Sequence, residues 1–167
     1  LGVNRLQRIV IMAKMKYLVL HCTATKEGRE VTSDEIRHWH TDPVKKGGRG
    51  WKQVGYTDMI HLDGEVERLV KNNEDAEVDP WEITNGAAGC PLDELQVVYV
   101  GGLASDGKTA KDTRTAAQLK AMTEYVRDFH ERFPTIRIVG HNELNNHKAC
   151  PSFNVQEWLR SIGIKQV

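Results

Sequence analysis

The chain lacks a long hydrophobic run and lacks an excess of charge of either sign. An early apolar stretch, residues 9–13, follows Arg5 and Arg8 and ends at Lys14, well short of a membrane span or the apolar part of a secretion signal. We therefore expect no membrane anchor, no signal peptide and a cytoplasmic protein as synthesised. Lysine plus arginine and aspartate plus glutamate number 23 each, so we expect no nucleic-acid partner and no membrane partner.

Cysteine is also scarce. The three cysteines, Cys22, Cys90 and Cys150, are odd in number and irregularly spaced, which does not fit a disulfide framework and leaves at least one thiol free for a metal. The 167 residues, 40% hydrophobic and 28% charged, fit one globular domain. We predict that residues 15–167 form this domain and that residues 1–14 are an N-terminal extension without a chemical role.

Hydrophobic patterning predicts an α/β fold, a single domain with a central mixed β-sheet flanked by helices. Apolar stretches at 17–22, 95–100 and 136–139 are typical of buried strands. Residues 54–62 and 65–70 are predicted to form a hairpin, and residues 71–94 a long surface loop. Helices are predicted from a cap at Thr32 or Ser33 to about His40, over 115–133, and over about 155–162 after Asn154.

Two histidines and a cysteine stand at or just after predicted strands. His21 lies at the carboxyl end of the first strand, His141 follows the last strand after one glycine, and Cys150 comes two residues after Lys148. A lysine nearby favours the thiolate, which is the form of cysteine that binds metal. Zinc in hydrolases takes three ligands of these types and keeps a fourth position for the water that it activates. The sequence thus predicts one catalytic Zn²⁺ with these three ligands.

Neighbouring donors leave alternatives open. Because side chains alternate along a strand, only one of His21 and Cys22 can be a ligand. A closed structural zinc with His147 or Cys22 as its fourth ligand is the alternative to a catalytic ion. The remaining histidines and one cysteine have no partner at a convincing spacing and are interpreted as surface, edge or loop residues: His38, His61, His130 and Cys90.

Six motifs in order, HCTAT, IRHWH, RGWKQVGY, DGEVERL, a strand with VGG, and KACPSF, resemble the type 2 N-acetylmuramoyl-L-alanine amidase family. The resemblance runs from about Tyr17 to Trp158. The family includes the short bacteriophage lysozyme-amidases and is related to the animal peptidoglycan recognition proteins. It implies zinc-dependent hydrolysis of the amide between N-acetylmuramic acid and L-alanine, with peptidoglycan or muropeptides as partner. We expect a monomer that reaches the cell wall after release or non-classical export.

Carried over by position, the resemblance makes His21, His141 and Cys150 the zinc ligands and Tyr56 and Lys148 the catalytic residues. Amide hydrolysis passes through a tetrahedral oxyanion, whose charge the Tyr56 hydroxyl and the Lys148 ammonium group can stabilise. The alternatives are a core aromatic at Tyr56 and a solvated charge at Lys148.

The resemblance also implies residues that contact substrate. His40 and the Gly50-Trp51 pair match the peptide groove of the recognition proteins, and such a pair resembles the branch that prefers diaminopimelate-type stems. Arg49 is placed to pair with the additional carboxylate of such stems, and Thr23 to face the groove. The alternatives are a core Trp51, a solvated Arg49 and a Thr23 that bonds only the backbone.

The chain departs from the family pattern at two places. Thr57-Asp58 follows the GY pair, and the segment TNGAAGC carries no histidine, so we expect specificity to be set in the long loop. Two other functions compete with the enzyme. One is a non-catalytic peptidoglycan-binding module of the same fold, against which Cys150 argues because such modules usually lack that ligand. The other is a polymerase partner, a role that one phage relative has and that no residue here supports.

Overall fold

A computed structural model describes residues 13–86 and 92–166 of the protein. The strands within these ranges are β1 (Ala13–Lys14), β2 (Tyr17–Cys22), β3 (Thr25–Lys26), β4 (Asp58–Ile60), β5 (Val66–Arg68), β6 (Glu77–Val78), β7 (Glu94–Tyr99), β8 (Gly102–Leu103) and β9 (Arg137–Gly140). The helices are α1 (Ser33–Thr41), α2 (Ala116–Arg132), α3 (His141–Leu144) and α4 (Val155–Ser161), with short 3₁₀ turns at Val44–Lys46 and Pro80–Glu82.

Five strands form the central sheet in the order β5-β4-β7-β2-β9. Four of them are parallel, and only the edge strand β5 runs antiparallel, as the second arm of a hairpin with β4. Two small two-stranded sheets, β1–β6 and β3–β8, complete the described strands. This mixed sheet with flanking helices confirms the predicted fold class. Because β2, β7 and β9 are parallel, their carboxyl ends lie at one edge of the sheet.

The two faces of the sheet bury separate cores. Leu18 and Leu20 of β2 lie in a core with Met122 and Phe129 of α2 and Leu159 of α4. On the other face, Val98 and Val100 lie in a core with Ile36 of α1. Since side chains alternate along a strand, His21 of β2 and Gln96 of β7 belong to the α1 side of the sheet.

Hydroxyl caps fix where the two longer helices begin. Thr32 accepts the backbone N–H of Glu35 at 3.2 Å, while the Glu35 carboxylate accepts the N–H of Thr32 at 2.9 Å. Thr115 and Gln118 form the same reciprocal pair at the start of α2. Each such cap satisfies helix N–H groups that have no partner within the helix. The predicted starts of α1 and α2 are confirmed.

The predicted strand at 54–62 is too long at both ends, and most of the difference is at its beginning. Only Asp58–Ile60 forms strand β4, because the N–H of Gly55 donates to the Nδ1 atom of His40 at 2.9 Å instead of joining a ladder. The backbone before β4 is therefore irregular, and Tyr56 lies in that irregular stretch.

The segment 71–94 is more structured than a surface loop. Its strand β6 pairs with β1, and Val78, Glu82 and Thr84 are buried. The Glu82 carboxylate accepts the N–H groups of Asn73 at 2.7 Å and Asp79 at 2.9 Å, so this buried acid organises the chain around it. Residues 87–91, including Cys90, lie outside the described residues.

Most of the predicted N-terminal extension, residues 1–12, also lies outside the described part of the chain. Ala13 and Lys14 pair with β6. In the described ranges, none of the helices combines the length and the apolar character that a bilayer crossing requires.

Candidate metal centre

Strand ends bring the two histidines of the candidate site together. His21 is the penultimate residue of β2 and is buried, and His141 follows directly after β9, the parallel neighbour of β2. Their ring centroids are 4.7 Å apart. His141 is the first residue of the short helix α3. The helix begins there because the Glu143 carboxylate accepts the N–H of Gly140 at 2.6 Å.

Backbone hydrogen bonds hold Cys150 against these histidines. The carbonyl of Cys150 accepts the N–H of Asn142 at 2.8 Å, and the buried Tyr99 hydroxyl donates to the carbonyl of Pro151 at 2.6 Å. The N–H of Cys22 lies 3.2 Å from the Cys150 sulfur. A loop that the sequence alone leaves unplaced is thereby fixed at the end of β2.

The donor atoms have separations that suit zinc. One donor atom from each of His21, His141 and Cys150 lies within 4.8 Å of the others. The Nδ1 atom of His21 is 3.6 Å from the Cys150 sulfur. A tetrahedral ion with ordinary Zn–N and Zn–S bonds separates a nitrogen and a sulfur ligand by roughly 3.6 Å. The residues present therefore fit a zinc ion.

Further donors do not join this group. Cys22 lies in the core on the other face of the sheet, with its sulfur 3.8 Å from the Ser152 hydroxyl, and His147 is exposed. Among the described residues, the set of metal-ligating side chains at this site has three members. Three protein ligands leave one corner of a tetrahedral ion for water or substrate.

Electrostatics keep the two imidazoles neutral. Burial, and after it the nearby His141, lower the pKa of His21 to about 3. Burial and the charge of Lys148 lower the pKa of His141. Both rings are therefore unprotonated near pH 7 and have lone pairs available for a cation.

The thiol differs from what the sequence suggests. The neighbouring Cys22 thiol and burial raise the pKa of Cys150, and this outweighs the opposite effect of the Lys148 charge. Lys148 alone thus does not produce the thiolate that we expected from its spacing. Binding of a cation to the sulfur is what favours the thiolate here.

A series of rings leads away from the candidate ligands. Tyr56 lies 5.2 Å from His21 between ring centroids, His40 lies 5.3 Å from Tyr56, and Trp51 lies 4.7 Å from His40. We call His21, Tyr56, His40 and Trp51 the aromatic row. The Arg49 guanidinium lies over the Trp51 ring at 5.0 Å. The structure thus brings four of the residues predicted to contact substrate or catalyse, Tyr56, His40, Trp51 and Arg49, into one cluster of neighbouring side chains.

Tyr56 keeps its proton in this position. Burial raises its pKa above the ordinary value, and the nearby Cys150 and Cys22 act in the same direction. Among the described residues, no hydrogen-bond partner of its hydroxyl is found. The Tyr56 hydroxyl is therefore a neutral donor that is free for a ligand.

The other predicted contact residues have varied surroundings. The Thr23 hydroxyl accepts the N–H of Gly101 at 2.9 Å and lies 2.7 Å from the Thr25 hydroxyl, so it bonds both backbone and side chain. Lys148 is exposed, and its charge acts on His141. Gly50 is exposed with a positive φ of 70°, and its N–H donates to the Asp42 carbonyl at 2.8 Å.

Sequence reasoning missed two polar residues beside His21. Gln96 lies in the stretch 95–100 that is predicted only as a buried strand, whereas Glu94, the first residue of β7, falls at the end of the predicted loop. The Gln96 side chain contacts both His21 and Glu94. The available signal was a glutamine inside an otherwise apolar stretch, since a buried amide requires hydrogen-bond partners.

Comparisons with known proteins agree with the geometry. The fold and the donor set define a single-domain α/β protein with a candidate metal centre at the carboxyl edge of its sheet. A family model described as N-acetylmuramoyl-L-alanine amidase matches residues 12–153, and the chain belongs to this family.

Individual relatives are similar over most of their length. An endolysin of Enterobacteria phage K11 is 30% identical over 142 residues, which are 85% of this chain and 83% of the relative. The structure of the Ph2119 endolysin from Thermus scotoductus MAT2119 bacteriophage Ph2119 is 27% identical with a TM-score of 0.65, over 92% of this chain and 87% of that one. The fold is also shared by a chain in the structure of tracheal cytotoxin bound to the ectodomain complex of peptidoglycan recognition proteins LCa and LCx. That chain is 18% identical with a TM-score of 0.63, over 90% of this chain and 84% of that one.

Proposed function

We propose that this protein is a zinc-dependent amidase that hydrolyses the bond between N-acetylmuramic acid and L-alanine in peptidoglycan. The observation that carries the proposal is the separation of 3.6 Å between His21 Nδ1 and Cys150 Sγ, with His141 beside them, in a chain of the amidase family. The similarity to phage endolysins supports peptidoglycan as the substrate.

Each residue of the site has a role that its surroundings support. His21 and His141 would hold the ion through neutral imidazole nitrogens, and Cys150 through its sulfur. When bound, zinc polarises the amide carbonyl and makes water nucleophilic near neutral pH. The Tyr56 hydroxyl and the Lys148 ammonium group would donate hydrogen bonds where the carbonyl oxygen gains charge. Neither donor has to lose its proton for this.

The stem peptide would lie along the aromatic row. The Trp51 ring, which packs against the buried His40 ring, offers flat aromatic surface, and the exposed Arg49 offers a guanidinium group to a stem carboxylate. The backbone of residues 49–51 is held to the end of α1 by three hydrogen bonds of 2.8 to 3.0 Å. The segment that carries Arg49 and Trp51 is therefore preorganised for binding. Gly50 would admit the substrate backbone closely, and Thr23 would border the site near His21. Residues 15–167 would form the amidase domain, acting as a monomer on the wall after release.

The test combines zinc content with product analysis. The purified protein should contain about one zinc per chain and release stem peptides from muropeptides, and chelation should abolish the release. Cys150→Ser should lose both properties. Cys22→Ser is the matched control, because Cys22 is adjacent to His21 but its side chain lies in the opposite core. Loss of a thiol that raises the pKa of Cys150 does not weaken metal binding, so this variant should retain both properties.

Two results would count against the proposal. Tight muropeptide binding without cleavage by the zinc-loaded protein would identify a binding module of the same fold. Cleavage that persists after complete removal of metal would show that the ligand set has another purpose.

A further inference from the structure

A buried polar chain ends on the candidate ligand His21. The Nε2 atom of His21 lies 2.5 Å from Oε1 of Gln96, and Nε2 of Gln96 lies 2.8 Å from Oε2 of Glu94. Gln96 is fully buried and Glu94 is 8% exposed. We call these two residues the Glu94–Gln96 pair.

Strand register places the pair beside His21. β2 and β7 are parallel, with Val19 opposite Gln96 and His21 opposite Val98. Residues 94, 96 and 98 share one face of β7, and residues 19 and 21 share the same face of β2. Gln96 is thus the diagonal neighbour of His21, close enough for a long side chain to reach the ring.

The carboxylate determines which way the amide points. Glu94 offers only acceptors when ionised, so the NH₂ group of Gln96 has to face it. The amide oxygen then faces His21 and accepts a hydrogen bond, which requires the hydrogen of the ring to be on Nε2. The other nitrogen, Nδ1, keeps its lone pair and is the atom that lies 3.6 Å from the Cys150 sulfur.

Close packing leaves the amide little freedom to turn. A methyl group added at Gly86 would lie 3.0 Å from both Cγ and Oε1 of Gln96 and 2.4 Å from the carbonyl oxygen of Gly55. The Gln96 backbone carbonyl accepts the N–H of Thr57 at 2.8 Å. The segments that carry Gly55 and Gly86 therefore enclose the Gln96 side chain.

We infer that Gln96 is a positioning residue for His21, that it directs Nδ1 of the ring toward the metal, and that Glu94 fixes its orientation. The inference rests on the proposed function for the presence of zinc. Partners of this kind typically change metal affinity by 10- to 100-fold when they are lost.

The first test uses Gln96→Leu, which keeps much of the side-chain volume and removes the acceptor. Zinc affinity of the full chain, measured by competition with a chromophoric chelator, should fall by roughly 10- to 100-fold. In the zinc-free protein, the Nε2–H proton of His21 should be protected from exchange in NMR spectra of the wild type and lose that protection in the variant.

Gln118→Leu is the matched control. Gln118 is as buried as Gln96, but its amide donates to the Val100 carbonyl at 2.9 Å and contacts no candidate ligand. This variant should lower stability without changing zinc affinity or the His21 proton.

A second test reverses the pair. In the double variant Glu94→Gln/Gln96→Glu, the amide donates to the carboxylate and the carboxylate still accepts from His21, so zinc affinity should exceed that of Gln96→Leu. Affinity of Gln96→Leu within threefold of the wild type, or an unchanged His21 proton, would overturn the inference, as would a folded double variant no better than Gln96→Leu.

The two proposals can fail separately. A wild type that binds zinc but cleaves nothing would end the amidase proposal and leave the affinity test of Gln96 intact. A wild type without affinity for zinc would end the amidase proposal as well, and the NMR signal of the metal-free protein would then decide the role of Gln96.

Discussion

Two tyrosine-to-phenylalanine substitutions should affect different properties of this protein: one should lower turnover but not stability, and the other should lower stability but not turnover. Tyr56 and Tyr125 are both largely removed from solvent, and each substitution deletes a single oxygen. No partner of the Tyr56 hydroxyl is found among the described residues, whereas the Tyr125 hydroxyl donates to the Asp58 carboxylate at 2.6 Å. The first oxygen is therefore available to substrate and the second belongs to the fold.

The magnitudes follow from these contacts. Tyr56→Phe keeps the ring beside His21, so we expect the free energy of unfolding to change by less than about 0.5 kcal/mol. Loss of an oxyanion donor should lower kcat by roughly 100- to 1000-fold, or about 2.7 to 4 kcal/mol. Zinc content should not change, because Tyr56 donates no ligand.

Tyr125→Phe should show the reverse. The Asp58 side chain is 2% exposed and keeps its two hydrogen bonds to Arg68 at 3.0 and 3.1 Å. Loss of one hydrogen bond to a buried charge should cost about 1.5 to 3 kcal/mol and lower Tm by roughly 3 to 12 °C. Turnover per folded molecule should stay at the wild-type value.

The assay pairs initial rates of stem-peptide release with thermal unfolding and zinc content for both variants. If Tyr56→Phe retained turnover within threefold of the wild type, the hydroxyl would not stabilise the transition state. If Tyr125→Phe were the less active variant, the assignment of the site to the His21 side of the sheet would be wrong.

Two further predictions concern charged groups. Lys148→Ala should lower kcat about 100-fold with zinc retained, and Lys148→Arg should recover part of the loss; equal rates for all three proteins would make Lys148 a solvated charge. Burial disfavours the charged form of His61, but hydrogen bonds to Glu30 and Glu67 outweigh it and raise its pKa. The stability that His61 adds is therefore present below the unfolded pKa of about 6.5 and lost as pH rises through the higher folded value. The difference in free energy of unfolding between wild type and His61→Gln, followed through Tm, should be on the order of 1 kcal/mol near pH 6 after screening and small at pH 9. A difference that widens with pH would contradict this.

The fold could be predicted because its strands and helices carry strong local signals. The boundaries of β2 were predicted to the residue, since an apolar run bounded by polar residues has few other interpretations. Thr32 and Thr115 indicate where the two longer helices begin, because each forms reciprocal hydrogen bonds with the residue three positions later in the sequence. The prediction of a strand over residues 54–56 was wrong because the N–H of Gly55 donates to the side chain of His40, a contact that no local pattern reveals.

The candidate site shows the same division between local and long-range information. His21 and His141 could be placed together because parallel strands end at one edge of a sheet. The position of Cys150 depends on contacts with Asn142, Cys22 and Tyr99, which the spacing of the sequence does not contain. Its thiol and the nearby lysine predicted Cys150 as a ligand, and the family resemblance implied the same role, but neither predicted its position in the fold.

Gln96 marks the limit of reasoning from one sequence. It lies 75 residues from His21 in the chain, and its contact depends on a register that pairs Val19 with Gln96. A shift of that register by one residue would turn the amide to the opposite face of the sheet. Burying an amide without partners costs several kcal/mol, so a glutamine in a central strand indicates that a partner exists but not which one. Only the three-dimensional structure identifies that partner as the ring that faces Cys150, and this is why zinc affinity rather than stability is the measurement that tests Gln96.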